Sequence, residues 1–364
     1  MERRRKSNGV CNCIFVLIYA AIASMAVICL MHIQEFDEHI DYSQLSDYKS
    51  NKLLSDQFDA FIKTNRRSYL TQQEKDMRFQ IFAQNLLKIR EHNQGGHAYE
   101  LGINSFADLT DDEFSSRYLM PAYQVNSYFD EQILNEEAIQ DDVNIDHSSL
   151  VGKAKDQGVC GSCWAFGAVG ALEYVFAVNN GNKLVEFSEQ QLVDCCTGSK
   201  YPETNGCDGG EKVDAFDYTT TVGIAKEIDY TYNGMDNPCK TNVPIVFKTT
   251  GSHPLPPGDN DALLERLKIQ VIDIGINAAP FAFRFYKAGI VDFGCTYTEI
   301  DHDVTLTGAG TDPATGLPYW RIKNSWGPNW GDHGFIRILR EQGIKPAQCA
   351  MNMDSDCPLY GSIS

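Results

Sequence analysis

The chain has 364 residues, with 31 Lys plus Arg against 49 Asp plus Glu and a formal net charge of −18. That length predicts two or three structured units, and 43% hydrophobic with 11% aromatic residues excludes a disordered or collagen-like chain. The acidic balance speaks against nucleic acid as a partner, since that binding rests on basic patches that neutralise phosphates.

Residues 1–9 carry Arg3, Arg4, Arg5 and Lys6 against Glu2, and Val10 to Met31 then run 22 residues without a charge. About 20 apolar residues span a bilayer, with basic residues on the cytoplasmic side. Two readings stand for residues 1–31. One is an uncleaved signal anchor, which would make the chain a type II membrane-anchored precursor through residues 10–31. The other is a signal peptide cut near Ala23 or Ala26, where small residues sit. Both place the remainder outside the cytosol.

A polar spacer fills residues 32–50, and residues 51–118 read as helical. Within them Glu74, Arg78, Phe82, Asn85, Ile89 and Asn93 recur at steps of three and four, on one helix face. Thr71 with Glu74 predicts a capping box at the start of that helix. A stripe mixing charges and amides with Phe82 is unusual for plain core packing. Residues 119–143 follow as an acidic connection bearing Asp130, Glu131, Glu136, Glu137, Asp141 and Asp142, an exposed place for proteolytic processing. A Cys-containing globular unit then runs from 144 to 364. It holds nine of the twelve Cys, and an odd number in an oxidising compartment predicts bridges plus at least one free thiol.

In that unit residues 163–178 are apolar without Pro, with Phe166, Val169, Leu172 and Phe176 spaced for a buried helix. Ser188 and Gln191 cap a shorter helix running to Asp194. The second half shows strands instead: Ile272–Ile276, Tyr319–Lys323 and Phe335–Leu339 are β-branched or alternating. A helical half followed by a β half predicts an α+β protein with a cleft between lobes.

Chemistry concentrates in the run from Gln157 to Phe166. Cys163 stands where a Gly/Ser turn meets a helix, and there the dipole and free N–H groups favour a thiolate. A disulfide is the default for a Cys in this compartment, but the flanking Gln and the spacing favour a nucleophile. Zinc at Cys160-x-x-Cys163 is set aside because no matching second pair with His follows. A nucleophilic thiol needs a base and the base an orienting group. His302 leads into a strand and Asn324 follows another. Two adjacent strands would set Asn324 on one ring nitrogen and leave the other for Cys163, with Trp326 shielding the bond from water.

On these residues the sequence resembles the papain family of cysteine proteases, in its cathepsin L-like branch. Cys160-Gly161-Ser162-Cys163-Trp164 matches the family signature, whose His and Asn follow roughly 130–150 residues later. Here His302 lies 139 and Asn324 161 residues after Cys163. The stripe from Glu74 to Asn93 is similar to the inhibitory propeptide's Glu-Arg-Phe-Asn-Ile-Asn pattern. Gly102-x-Asn104-x-Phe106-x-Asp108 resembles its companion motif. The resemblance implies a papain-like two-lobe fold, a helical lobe plus an antiparallel β-barrel lobe, preceded by a helical inhibitory prodomain. It implies Cys163 as nucleophile, His302 as base and then acid, Asn324 as the orienting residue, and Gln157 as oxyanion donor with the Cys163 N–H. No cofactor or metal is implied.

The resemblance also pairs Cys160 with Cys207, Cys195 with Cys239, and Cys295 with Cys349. Cys163 is then free, and Cys196 and Cys357 either pair, stay thiols, or see Cys196 compete with Cys195. Gly209 and Gly210 resemble the glycine turn that pairs with a substrate backbone, and Asp301 and Trp326 fall along the same cleft. Lys212, Gly275, Ile300 and Asp354 align with the pocket for the second residue before the scissile bond. An acidic floor at Asp354 would accept Arg or Lys, unless Lys212 neutralises it.

Three departures stand out: Asp146-His147 near the mature start, Asp303 directly after His302, and Ala309-Gly310 in the strand that follows. Two carboxylates flanking His302 should raise its pKa. No adjacent His pair lies between Gly210 and His302, against a dipeptidase-type loop, and no Asn-x-Ser/Thr site occurs. A dead relative kept as a binding protein would have lost Cys163 or His302. A disulfide-stapled interaction domain would not explain the odd thiol. The expectation is a monomeric thiol endopeptidase of protein or peptide substrates, in a lysosome, an acidic vacuole or outside the cell. Its own propeptide would inhibit it until acid protonates carboxylates such as Asp108.

Overall fold

The structure, a computed structural model, describes residues 52–125, 143–292 and 295–363. The apolar run at 10–31, the spacer at 32–50 and most of the acidic connection lie outside the described residues, so neither reading of the leader is addressed. Among the described residues no helix is long and apolar enough to cross a membrane. The chain divides into two compact units, residues 1–68 and 69–364. In the first, helix α1 (Lys52–Thr64) carries Leu54, Phe58 and Phe61 at steps of four and three, which puts them on one face.

The second unit opens with α2 (Gln72–Gln94), strand β1 (Tyr99–Leu101), α3 (Asp111–Tyr118) and β2 (Tyr123–Gln124). Thr71 caps α2 by accepting from the Glu74 N–H at 3.1 Å, but the Glu74 carboxylate accepts from the Leu70 N–H at 2.7 Å rather than from Thr71. The mixed stripe on α2 now has a physical reason, because its polar members satisfy backbone groups of the segment folded over it. Arg78 forks onto Glu113 at 2.5 and 2.7 Å and reaches the Asp108 carbonyl at 3.0 Å. Asn85 donates to the carbonyls of Ala107 and Leu109, both at 3.0 Å. Asn93 exchanges two bonds with Leu101, at 2.8 and 2.9 Å. Phe82 and Ile89 are buried between them.

The rest of the chain supplies β3 (Ile145–Asp146), α4 (Cys163–Asn179), α5 (Glu189–Cys195), α6 (Lys212–Thr221), β4 (Ile224–Ala225) and β5 (Ile245–Lys248). There follow α7 (Asn260–Leu267), β6 (Ile272–Ile276), α8 (Phe281–Arg284), β7 (Tyr286–Gly289), β8 (Glu299–Ile300) and β9 (His302–Thr311). The last strands are β10 (Pro318–Lys323), β11 (Phe335–Leu339), β12 (Ser355–Asp356) and β13 (Ser362–Ile363). The main sheet is antiparallel in the order β11-β10-β9-β6-β12, with β3 also paired to β9. Helix α4 is apolar all round and buried from Cys163 to Ala177, the pattern of a helix with no solvent face. It lies directly on the sheet at two glycines. A Cβ on Gly167 would stand 2.3 Å from Asp273 Oδ1 of β6, and one on Gly170 would stand 2.4 Å from Thr305 Oγ1 of β9.

The disulfides are Cys160–Cys207, Cys195–Cys239 and Cys295–Cys349. Cys163, Cys196 and Cys357 are free and buried, so Cys196 and Cys357 are not bridged to each other. At the start of the Cys-containing unit, His147 is fixed on both ring nitrogens, by the Leu267 carbonyl at 2.7 Å and the Tyr174 hydroxyl at 2.9 Å. The departure at that position is thus an alternative anchor for β3.

Candidate active site

Cys163 is the first residue of α4, and Ser162 before it makes no side-chain cap, which leaves the helix N–H groups uncapped by a side chain. His302 opens β9 and Asn324 directly follows β10, the antiparallel neighbour of β9. That pairing brings His302 Nε2 to 2.8 Å from Asn324 Oδ1. A carbonyl oxygen only accepts, so Nε2 carries the proton and Nδ1 presents a lone pair. Nδ1 is buried and has no hydrogen-bond partner, so the thiol–imidazole hydrogen bond is not made in this closed state. The thiol feels the backbone N–H groups of Asp303 and Trp164, which sets it beside the start of β9. Trp326 lies tilted against the imidazole, with ring centroids 4.7 Å apart.

Two electrostatic expectations are corrected. The pKa of His302 is not raised but lowered to about 4, because burial penalises the imidazolium more than the Asn324 bond supports it. The flanking carboxylates do not counter this, since neighbours along a strand point to opposite faces. Asp301 turns to the Ala278 and Ala279 N–H groups at 2.7 and 3.2 Å, and Asp303 turns to Lys212. The Cys163 thiol is likewise pushed up, first by burial and then by the Asp303 carboxylate, against the thiolate expected at a helix start. Burial thus favours the neutral form of both Cys163 and His302.

The cover is the chain's own segment after α3. Gln157 is fully buried, and its amide donates to the Tyr118 carbonyl at 3.0 Å and the Cys160 carbonyl at 2.9 Å, while its oxygen accepts from Ser325 at 2.6 Å. Met120 packs on Cys163 and donates its N–H to the Asp301 carbonyl at 3.0 Å. Pro121 and Met120 lie over Gly209, where an added Cβ would stand 2.9 Å from Pro121. Gly210 instead packs under Trp164 and Thr204. β2 pairs with β8, setting Tyr123 opposite Ile300. The stretch from Leu119 was read as the start of an exposed linker, yet Leu119 and Met120 are buried in the cleft.

Lys212, Gly275, Ile300 and Asp354 do converge. A Cβ on Gly275 would meet Ile300 at 2.9 Å and the Asp354 carboxylate at 3.3 Å. Lys212 is ion-paired with Asp354 and, at 3.0 Å, with Asp303. Of the two sequence readings, neutralisation of Asp354 by Lys212 is the one realised.

Sequence reasoning missed three contributions, one of them from a pair of aromatic rings. Tyr123 enters this pocket and donates to Asp354 at 2.5 Å. Phe106 and Phe114 stand edge-on to Trp326, both at 5.3 Å, and cap the site from above. Arg284, nearly fully buried, pairs with Asp111 at 3.0 Å and stacks on Phe285 at 4.4 Å. Phe106 of the companion motif was a signal for the second; the others depend on contacts 173 and 231 positions apart in sequence, which local pattern does not carry. Among the described residues no cluster of His, Cys, Asp and Glu could hold a metal.

Comparison with known proteins agrees with this layout. A family model described as papain family cysteine protease matches residues 139–359, and one described as cathepsin propeptide inhibitor domain matches residues 58–114. Cysteine protease XCP2 of Arabidopsis thaliana is 34% identical over 352 residues, covering 94% of this chain and 97% of the relative. Papaya proteinase 4 of Carica papaya is 35% identical, covering 88% and 91%. Among solved structures, a recombinant stem bromelain precursor superposes with a TM-score of 0.75 at 32% identity, covering 85% of this chain and all of that one. Digestive procathepsin L 3 of Tenebrio molitor larval midgut gives 0.72 at 31%, with 85% and 100% covered.

Proposed function

The chain belongs to the papain family of cysteine proteases and carries a cathepsin propeptide inhibitor domain, and from that premise we propose a thiol endopeptidase held as a zymogen and released by acid. Cys163 Sγ gives its proton to His302 Nδ1 and attacks the scissile carbonyl carbon. The carbonyl oxygen takes the negative charge, between the Gln157 amide and the Cys163 N–H. The tetrahedral adduct collapses, the C–N bond breaks, and His302 hands the proton to the leaving amine. Water then loses a proton to His302 and attacks the thioester carbon; the C–S bond breaks, the acid leaves, and His302 returns the proton to sulfur. Asn324 holds the ring in the tautomer this requires.

The observation that carries the reading is the Tyr118 carbonyl on Gln157. A carbonyl of the inhibitory segment occupies the donor that an oxyanion would need. The path from Tyr118 on Gln157 to Tyr123 in the pocket runs N- to C-terminal. A substrate placing a residue before its scissile bond in that pocket would run the other way, so the segment fills the cleft without offering a cleavable bond. Asp108 accepts from the Tyr69 hydroxyl at 2.9 Å, and Arg78 pairs with Glu113, so acid-sensitive carboxylates lie on both sides of the fold over α2. The three disulfides support a compartment outside the cytosol.

The test is labelling by an epoxide thiol inhibitor under reducing conditions. Exposure of the full chain to mild acid should convert an unlabelled form into one labelled at Cys163 and cleaving peptides, and the Cys163→Ala chain should do neither. An unlabelled Cys163 after complete loss of the inhibitory segment would overturn the proposal.

A further inference from the structure

Asp303, one of the departures from the family pattern, belongs with Lys212 and Asp354 to one device. Lys212, two residues after the glycine turn, is 2% exposed and carries a full charge into the wall of the pocket. Isolated, a buried ammonium costs several kcal/mol or loses its proton. Asp303, 1% exposed, meets it at 3.0 Å from behind, and Asp354 meets it from the floor. Asp354 differs from its partner in being about one-third exposed, so it keeps lone pairs facing the cleft. Tyr123 uses one of them, with its hydroxyl on Asp354 Oδ2 and its strand paired to Ile300. The ring meanwhile packs with the Met120, Ile300, Ala350 and Met353 cluster.

We propose that this pocket selects tyrosine as the second residue before the scissile bond, with Asp354 accepting the phenol hydrogen bond and Lys212 and Asp303 holding that carboxylate in place. The inference rests on the protease reading above and names the side chain its pocket takes. An apolar wall and a charged acceptor at its end match a side chain that is aromatic along its length and a donor at its tip. Phenylalanine fills the same wall but leaves the acceptor unpaired. Arginine and lysine are disfavoured because the carboxylate they would need is already paired with a fixed ammonium. Asp303 thus acts as a positioning residue rather than as a modulator of the imidazole beside it.

The experiment uses the acid-activated full chain and fluorogenic dipeptide amides that differ only in the residue at that position: Tyr, Phe, Leu and Arg. A hydrogen bond to a charged acceptor predicts kcat/KM for Tyr roughly ten- to hundredfold above Phe, with Arg lowest. Asp354→Ala should collapse the ratio of Tyr to Phe turnover to about one, whatever the absolute rates. Should that variant not fold, the wild-type series decides by itself. Tyr123→Phe in the zymogen, which touches no reacting group, should speed acid processing at unchanged final activity. Equal rates for Tyr and Phe, or a preference for Leu or Arg, overturn the pocket assignment while epoxide labelling still upholds the protease. No cleavage of any member together with no labelling of Cys163 overturns both.

Discussion

Acid release of the inhibitory segment should run through His302. In the closed state burial lowers its pKa to about 4, from an ordinary 6.5. A histidine depressed in this way supports the closed state fully above 6.5 and withdraws that support as pH falls toward 4. At roughly 1.4 kcal/mol per pH unit, the support lost by pH 5 is about 2 kcal/mol, a roughly thirtyfold shift toward opening, and about 3 kcal/mol is lost by pH 4. Asp301, pushed up to about 6 mainly by burial, titrates in the same range. Its carboxylate is held by Asn277, Ala278 and Ala279, all of the catalytic half, so its proton uptake is shared by both states and largely cancels. The assay is proton NMR of the imidazole in the Cys163→Ala chain, which cannot digest itself, with His302→Gln to assign the signal. Protease sensitivity of residues 119–125 against pH reports opening. The resonance should stay neutral to about pH 4 while the segment is docked, and should titrate near 6.5 or above once it is clipped away. Titration above pH 6 in the docked chain, or opening that does not change between pH 6.5 and 5, would refute the reasoning.

Gln157→Ala should lower kcat by a factor on the order of 10²–10³ in peptide hydrolysis, with thiol labelling of the activated enzyme retained. Glu113→Gln should weaken docking of the inhibitory helices by about 1–2 kcal/mol, discounted for partial solvent exposure, and raise the pH at which processing begins. Because Arg78 helps hold the Glu113 carboxyl below its usual range, that pair is intact at neutral pH and fails only as pH falls through the carboxylate range, below the window of His302. Asn85→Ala should leave the Ala107 and Leu109 carbonyls buried without their donor, costing roughly 2–4 kcal/mol, read as faster limited proteolysis of α2 and α3 at pH 7.

Much of the scaffold was legible because it is written locally. The helix after Cys163 shows as a Pro-free apolar run, and β6, β10 and β11 show as alternating or β-branched stretches. The placement of Asn324 follows from one strand pairing. The stripe on α2 was visible as a periodic oddity, but its purpose depends on which carbonyls of residues 101–109 fold over it. The sign of the His302 shift was misread although the rule needed was elementary: Asp301 and Asp303 flank it in sequence, and alternation turns them away from the ring. What stayed hidden were meetings across long stretches of chain, such as Tyr123 with Asp354, 231 residues apart, and the choice between the two readings of Lys212. Whether a lysine in a pocket wall is neutralised or free depends on the far partner, which no local pattern reports.

The pairing of β2 with β8 carries one more consequence. While the segment is in place, the Thr298 carbonyl accepts from Val125 and the Asp301 carbonyl from Met120. Its departure strips both of their main-chain partners and leaves a bare sheet margin beside the catalytic thiol. Any extended peptide can dock on that rail, including the fragment just expelled, so maturation at high protein concentration should slow itself until the fragment is degraded or diluted.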